Sequence, residues 1–405
     1  MGYEVAPKVE PPAHVSPDQV FDFDVYNSTK DPDPHRAWKV LQAPGVPDIV
    51  WTPRNGGHWI AVRGKLIGEA FADYEAFSSR IKQVPKSRGE QYPMIPSTVD
   101  PPVHRPYRLL LNASLSPAAV ATLEPTIHEL AERFIDAFAE TGECDFTAQY
   151  AEQLPIQVFL KMCDLPGEDG PMLKKVADQF TRPDGTMTLA EGVAYFQDYL
   201  RETVIARREA PGDDILSRIV AGQVDGEMLS VEQSLRVLPQ VLVAGLDTVV
   251  NFLNYAMLFL AENPEERRAL IADPALLAPA VNELLRRYPL VTATRVVARD
   301  MVFGGAELKE GDMIVLPTIL HGLDERENAC PMDVDFKRGP GEHSTFGRGH
   351  HFCPGSYLAR AEVRITLETW LRRIPEFRVK PGAQVRYRAG LVSTIEALPL
   401  VWDVP

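Results

Sequence analysis

The chain has 405 residues, 45% of them hydrophobic, which is enough for a large core, and a formal net charge of −14 at pH 7. This acidic balance argues against general nucleic-acid binding, which needs a basic face. The four cysteines form no C-x-x-C pair, so their spacing argues against a zinc site and a disulfide framework and fits a reducing cytoplasm.

The N-terminal segment and the distribution of proline bear on how the chain is organised. Residues 1–15 contain three prolines and no apolar run, so neither a signal peptide nor a membrane anchor is predicted. The 35 prolines are scattered, and no low-complexity linker or repeat divides the sequence. We therefore expect one domain over residues 1–405, a cytoplasmic location, and neither a membrane nor a nucleic acid as partner.

The first hundred residues are predicted to form an irregular arm followed by short elements. Short β-like runs flank Asn55-Gly56, which is a hairpin signal. The predicted segments are an arm over 1–35, a helix over 35–42, strands over 49–51 and 58–62, a helix over 64–71 and a loop over 79–99.

The rest of the chain is predicted to be mostly helical, because apolar residues recur every three or four positions. A capping box, formed by Ser230 and Gln233 three residues on, opens the longest helix. The predicted helices cover 116–140, 150–163, 189–208, 230–262 and 356–371, with short strands and turns over 294–317 and 377–402.

A glycine-rich turn holds Cys353 just before the last predicted helix. Glycine lets a loop fold tightly around this cysteine, and the positive end of the helix dipole favours the thiolate, the form that binds metals. Phe346, seven residues upstream, is placed where its ring can shield the sulfur from water. The alternative is a buried structural cysteine in a glycine-rich turn.

The middle of the longest predicted helix contains an acid and an alcohol, Asp247 and Thr248, in a mostly apolar run that also contains Ala244 and Gly245. A buried aspartate is costly unless it is paired or functional. The alternative is a salt-bridged structural acid beside a threonine that caps a helix carbonyl.

Several basic residues are candidates for anion binding. His104 and Arg108 are four apart and share one helical face, which suits a carboxylate or a phosphate. Arg295 stands at the start of a predicted sheet. The alternatives are a solvated helix face and an exposed strand end. Glu283 and Arg286 are three apart on a helix, a spacing that usually means a surface ion pair.

Four motifs together resemble the cytochrome P450 family. They are D-P-P-x-H-x-x-x-R at 100–108, A-G-x-D-T at 244–248, E-x-x-R at 283–286 and F-x-x-G-x-x-x-C-x-G at 346–355. The resemblance implies a mainly α fold, with a helical domain around a haem and a smaller β-rich region. It implies haem b as cofactor, with the Cys353 thiolate as ligand of the iron. The further cofactor contacts that it implies are Phe346 near the sulfur, and His104, Arg108, Arg295 and His351 at the haem propionates.

The resemblance also implies an activity, a monooxygenase that hydroxylates an unactivated C–H bond with O2. Asp247 and Thr248 would supply protons for cleavage of the O–O bond, with Arg182 as basic partner of the acid. In the family, the Glu283–Arg286 pair is buried and structural. The rival functions are a peroxide-using or nitric-oxide-reducing relative and a haem-binding sensor without chemistry.

Electrons are expected from a separate [2Fe–2S] ferredoxin and its NADH-dependent reductase, because the chain has no flavin domain and too few cysteines for a cluster. An acidic ferredoxin would bind a basic patch on the cysteine side of the haem. The residues expected in this patch are Arg105, Arg108, Arg348, Arg360 and Arg364.

Residues 245–251, 322–331 and 397–403 resemble in particular the camphor 5-monooxygenase subfamily, which implies that Tyr92 hydrogen-bonds a substrate ketone. The implied substrate contacts are Gln83, Tyr92, Met94, Thr181, Gln240, Val243, Ala244, Val291, Leu391 and Val392.

Some positions depart from the pattern of that subfamily. Gln83 and Met94 replace phenylalanines, Gln240 replaces a leucine, and Ala293 replaces an aspartate beside a propionate. Arg80 replaces an acid near a cation site, so no bound potassium is expected. Such changes alter pocket shape and polarity. The expected substrate is therefore a small apolar terpenoid or norisoprenoid ketone, camphor-like or ionone-like.

Overall fold

The protein is described here by a computed structural model that covers residues 8–27, 31, 33–90 and 94–404. Its helices, in chain order, are α1 Pro34–Lys39, α2 Gly64–Ala72, α3 Lys86–Gly89, α4 His104–Asn112, α5 Pro117–Asp136, α6 Leu154–Met162, α7 Gly170–Thr181, α8 Leu189–Glu209, α9 Ile215–Val220, α10 Val231–Glu262, α11 Pro264–Ala272, α12 Leu277–Arg287, α13 Thr318–Gly322 and α14 Ser356–Arg373.

The strands are short and lie mainly at the two ends of the sequence. They are β1 Ile49–Thr52, β2 His58–Ala61, β3 Phe77–Ser78, β4 Glu143–Asp145, β5 Gln223–Val224, β6 Glu227–Met228, β7 Thr292–Val297, β8 Met301–Phe303, β9 Ala306–Leu308, β10 Met313–Pro317, β11 Arg378–Val379, β12 Arg386–Arg388, β13 Thr394–Ala397 and β14 Pro399–Val401.

The longest helix, α10, is the centre of the helical part. The capping box predicted at its start is present, since Ser230 Oγ accepts from the Gln233 N–H and Gln233 returns a bond to the Ser230 N–H. Helices α6, α7, α8, α9, α11 and α14 pack against α10. Among the described residues, α10 alone is long and apolar enough to cross a membrane, but 78% of its most apolar stretch is buried. It is therefore the core helix of this fold.

A five-stranded sheet forms the second core. Its strand order is β1-β2-β10-β7-β3, with β2 and β10 parallel and the other neighbours antiparallel. Asn55 and Gly56 in the β1–β2 turn have φ of 51° and 82°, so the predicted hairpin is confirmed. Strand β7 matters for function, because it carries Ala293 and Arg295 to the boundary between the sheet and the helical part.

The predicted elements that fall on described residues are present, with differences at their ends. The sequence did not indicate several further elements, among them α9, α11, α13, β4, β5 and β6. The segment 79–99, predicted to be a loop, contains α3 at Lys86–Gly89. A helix of four residues is too short to show periodicity in the sequence. Tyr92 lies outside the described residues.

Candidate active site

The loop before α14 is folded tightly around Cys353. Gly347 and Gly349 have φ of 69° and 67°, a region that costs other residues energy. A Cβ on Gly349 would also lie 3.1 Å from Ala72 Cα and Phe71 O. The Cys353 N–H donates to Phe346 O at 2.8 Å, which closes the loop. The glycines are therefore required by backbone angle and by close approach to α2.

The environment of the Cys353 sulfur differs in one respect from the prediction. The Gly355 N–H bonds to the sulfur, and Arg108 and Arg360 add positive charge, as a site that favours a thiolate requires. Burial outweighs these contributions, so the pKa of the Cys353 thiol is raised rather than lowered. The helix end alone therefore does not give a thiolate. Coordination to a metal cation would remove the proton.

A cavity separates the Cys353 loop from α10. On the α10 side its wall includes Ala244, Gly245 and Thr248, and on the opposite side Cys353 and Leu358. Most other lining side chains are apolar. They include Phe71, Leu111, Leu115, Phe159, Ile215, Val241, Val249, Phe252, Leu285, Leu290, Val291, Phe346 and Val363.

One end of this cavity is lined by five basic side chains, which we call the basic corner: Lys82, His104, Arg108, Arg295 and His351. Arg295 is fully buried, and burial lowers its pKa to about 10. Its Nη1 donates to Thr294 O at 2.8 Å, with no other acceptor among the described residues. The rings of His104 and His351 are 4.3 Å apart, and neither Nε2 has a hydrogen-bond partner among the described residues.

A carboxylate of the protein is close to the basic corner but does not neutralise it. Asp100 accepts hydrogen bonds from Ser78 Oγ and the Ser79 N–H. Its Oδ1 is 3.9 Å from His351 Nε2, which is too long for a hydrogen bond. The corner thus leaves buried donors for ligand carboxylates. Arg108 also bonds Asn112 and the Phe352 carbonyl.

These features fit haem b. An apolar slot has a cysteine sulfur on one wall, and unpaired basic groups at one end match the two propionates of that cofactor. Cys353 would hold the iron, and the residues of the basic corner would hold the propionates. Phe346, whose ring lies under the Arg360 guanidinium at 4.5 Å, lines the slot beside the sulfur.

Asp247 and Thr248 point in different directions from α10. Thr248 borders the cavity, whereas Asp247 is 1% exposed and is surrounded by polar groups on the other side of the helix. The contacts of the carboxylate are Arg182 Nη1 at 3.0 Å, Arg182 Nη2, Lys174 Nζ at 3.2 Å, Thr181 Oγ1 at 3.0 Å and Asn251 Nδ2 at 2.7 Å.

The charges around Asp247 decide its protonation. Burial alone would raise the pKa of its carboxyl, but Arg182 and Lys174 outweigh burial and hold the pKa below its usual range. Asp247 is therefore an ionised acceptor in this arrangement. The predicted contact with Arg182 is confirmed, and Lys174 is a partner that the sequence did not indicate.

Comparison with known proteins agrees with this geometry. A model of the family "Cytochrome P450" matches residues 186–389. The chain is 34% identical over 403 residues to "Probable cytochrome P450 127A1" of Sinorhizobium fredii, covering 96% of each chain. The chain belongs to the cytochrome P450 family. The crystal structure of CYP101J2 shares 42% identity with a TM-score of 0.91, and covers 98% of this chain and 100% of its own. That of CYP101C1 shares 37% identity with a TM-score of 0.90, covering 97% and 100%.

Membership confirms several predictions. This P450 is a haem-dependent monooxygenase with the P450 fold, and its cofactor is haem b.

Glu283 and Arg286 form a buried ion pair joined by two hydrogen bonds, with both N–O distances 2.8 Å, so the alternative of a surface ion pair is wrong. Arg286 also donates to the carbonyls of Gly322, Pro331 and Asp333. This pair therefore fixes the segment that leads to the Cys353 loop.

Gly245 lies where two helices approach each other closely. A Cβ at this position would lie 2.3 Å from the ring of Phe159 on α6. The glycine therefore allows close packing of α6 on α10. Both residues border the cavity, so this packing shapes its wall.

The structure brings part of the predicted substrate set to the cavity. Gln240, Ala244 and Val291 line it. Gln83 and Thr181 do not, because Gln83 Nε2 donates to Phe180 O at 2.9 Å and the Thr181 hydroxyl donates to Asp247. The other described members, all buried in packing outside the cavity wall, are Met94, Val243, Leu391 and Val392.

Among the cavity-lining residues that were not predicted, three carry polar groups that bear on function. Glu362 on α14 is buried, no hydrogen bond to it is described, and burial raises its pKa well above the usual value. Ser97 donates from Oγ to Gln240 Oε1 at 2.8 Å. Lys82 lies in the basic corner. A buried acid in the apolar pattern of α14 could have been noticed, whereas Ser97 and Lys82 stand in a segment without periodicity.

Proposed function

We propose that this P450 hydroxylates a small apolar ketone of terpenoid or norisoprenoid type, camphor-like or ionone-like. The observation that carries the proposal is the cavity wall opposite Cys353, which is apolar except for a few polar groups. An apolar pocket with few polar groups orients a small ligand through those groups. The resemblance of residues 245–251, 322–331 and 397–403 to the camphor 5-monooxygenase subfamily supports a camphor-like substrate.

Ser97 and Gln240 are the groups we assign to the ketone. The Ser97 hydroxyl lies 2.9 Å from the Met94 carbonyl oxygen, which also accepts from the Thr98 N–H, and 2.8 Å from Gln240 Oε1, to which we assign its one proton. When Gln240 Oε1 accepts this bond, the Gln240 NH2 group is the donor that can bind a ligand in the cavity. An amide donor in an apolar wall selects a carbonyl group, and Tyr92 remains the further candidate donor.

Haem b supplies the activation of O2 and the removal of hydrogen from carbon when it is bound. The Cys353 thiolate would hold the iron of this cofactor. The Thr248 hydroxyl, on the opposite wall, holds and passes a proton at the cavity. Asp247 does not reach the cavity, because Arg182 holds its carboxylate on the other side of α10. It therefore delivers protons to Thr248 only when the carboxylate leaves Arg182 for another partner.

The face that carries the Cys353 loop is our proposed surface for the ferredoxin. Arg105, Arg108 and Arg360 have no carboxylate partner in the described part of the chain, whereas Arg348 is paired with Glu342 and Arg364 with Glu124. Large apolar side chains are exposed on the same face. They are Val103, Leu109, Phe352 and Tyr357. Apolar contacts inside a basic rim suit an acidic protein partner.

We also propose that residues 1–405 act as one domain in the cytoplasm. Residues of the sheet core and of the helical core both line the cavity, for example Phe71 and Phe252, so neither part forms the site alone. The described cysteines Cys144, Cys163, Cys330 and Cys353 are all free thiols, as in a reducing compartment.

Turnover with a reconstituted [2Fe–2S] ferredoxin, its reductase and NADH tests the proposal. With camphor or β-ionone under heavy-oxygen-labelled O2, we expect a product carrying one labelled hydroxyl. Omitting the ferredoxin should abolish the product. Efficient product formation with hydrogen peroxide alone would favour the peroxide-using alternative, and no product from any terpenoid ketone would contradict the proposal.

A further inference from the structure

Lys82 is a half-buried cation to which the sequence motifs give no role. It follows β3 by four residues and borders the cavity together with Ala293, Arg295, His104 and His351. Burial lowers the pKa of His104 to about 4, and the charge of Lys82 contributes to this shift.

No carboxylate among the described residues forms a hydrogen bond or an ion pair with the Lys82 ammonium. Burial and the charge of Arg295 lower the pKa of Lys82 well below its usual value, and only the charge of Asp100 opposes them. Within the same described part of the chain, Arg295 donates to a backbone carbonyl and to no carboxylate. Ala293, which borders the same corner, contributes no charge. An ammonium held among other cations without a paired carboxylate is unfavourable in an enclosed site, so this corner suits an anion from outside the chain.

We propose that the ammonium of Lys82 binds a propionate carboxylate of haem b, as a fifth basic group beside His104, Arg108, Arg295 and His351. Haem b is the cofactor of this family, and its propionates are the carboxylates that the basic corner fits. The proposal does not depend on the substrate. An ammonium–carboxylate bond should slow loss of haem, and the extra positive charge should raise the reduction potential by favouring the less positive, reduced cofactor.

The test is the rate of haem transfer from the ferric holoenzyme to excess apomyoglobin. Lys82→Met should speed transfer by at least about tenfold, because a hydrogen bond to a charged group is worth at least about 1.4 kcal/mol. It should also lower the reduction potential. Lys82→Arg should stay near the wild-type rate. Lys86→Met is the matched control, because Lys86 donates to the Gly311 carbonyl and does not border the cavity.

Reconstitution with haem dimethyl ester identifies the carboxylate. The esterified propionates carry no charge, so wild type and Lys82→Met should then lose haem at the same rate. If the native haem leaves both proteins equally fast and at the same potential, the proposal is wrong. A change confined to the binding of anionic substrates would also overturn it, since Lys82 would then bind a substrate carboxylate.

Discussion

The guanidinium of Arg182 faces the carboxylate of Asp247 inside the protein, with Nη1 3.0 Å from Oδ2 and a second contact between Nη2 and Oδ1. Both side chains are at most 3% exposed. The pair joins the end of α7 to the middle of α10, and Lys174 and Asp178 extend it. Its geometry leads to the first prediction.

Arg182→Met should lower the free energy of unfolding by about 3–5 kcal/mol, because Asp247 then stays buried without its main counter-charge. Urea denaturation of the haem-loaded protein measures this loss. The double variant Arg182→Met/Asp247→Asn is the control, since it removes the stranded charge as well. It should recover much of the stability. Equal losses in the single and double variants would show that charge is not the cause.

Thr248→Ala should leave NADH consumption by the reconstituted system largely intact but divert most electrons from product to hydrogen peroxide. The reason is the position of the Thr248 hydroxyl on the cavity wall opposite Cys353, where it alone among Ala244, Gly245 and Thr248 can hold a proton. Product and peroxide are quantified per NADH consumed. Thr248→Ser keeps the hydroxyl and should stay coupled. A sensor without chemistry would show no difference among the three proteins.

Gln240→Leu should weaken binding of a ketone by about tenfold, the order expected for one hydrogen bond of about 1.4 kcal/mol. The matched ligands are camphor and bornane, which has the same skeleton without the carbonyl. Optical titration gives both dissociation constants. The variant should bind bornane at least as tightly as wild type does. Loss of affinity for both ligands would indicate a change in pocket shape instead.

His58 makes the protein less stable in acid. It is 1% exposed on β2, and burial lowers its pKa from 6.5 to about 3. Between pH 6.5 and 3, His58 therefore binds a proton in the unfolded chain but not in the folded chain. Its effect on the free energy of unfolding is absent above pH 6.5, and the free energy of unfolding falls as the pH drops below that value. The slope is about 1.4 kcal/mol per pH unit well inside that window.

His58→Leu should flatten the fall in stability between pH 6 and 4 by up to that slope, measured by urea denaturation at each pH. At pH 7 and above, the variant should show no such difference in slope. If wild type and variant lose stability in parallel on acidification, His58 is not buried in its neutral form.

The parts of the site that could be predicted from sequence are those fixed by local spacing. The Cys353 loop needs glycine at 347 and 349 for its backbone angles, and Glu283 reaches Arg286 within one helical turn. The Cys353 loop and the Glu283–Arg286 pair can therefore both be recognised from short sequence motifs. The contact of Arg182 with Asp247 spans 65 residues and was inferred only from family resemblance.

The parts that could not be predicted depend on long-range packing. The sequence places Gln83 and Thr181 near the pocket, but Phe180 O and Asp247 compete for their donors and hold them away from the cavity. Lys82 becomes notable only because the sheet and α4 enclose it beside other cations. The raised pKa of Cys353 also depends on burial, which no local motif reports.

The most direct measurement is an optical titration of the purified ferric protein with β-ionone and camphor, after the CO complex has shown a thiolate-type Soret band. We predict a low-to-high-spin shift with at least one of these ketones, because a ligand that fills the apolar cavity beside Cys353 excludes water from it. A thiolate-type CO spectrum with no spin shift for either ketone at saturating concentration would contradict the assignment of this cavity to small apolar ketones.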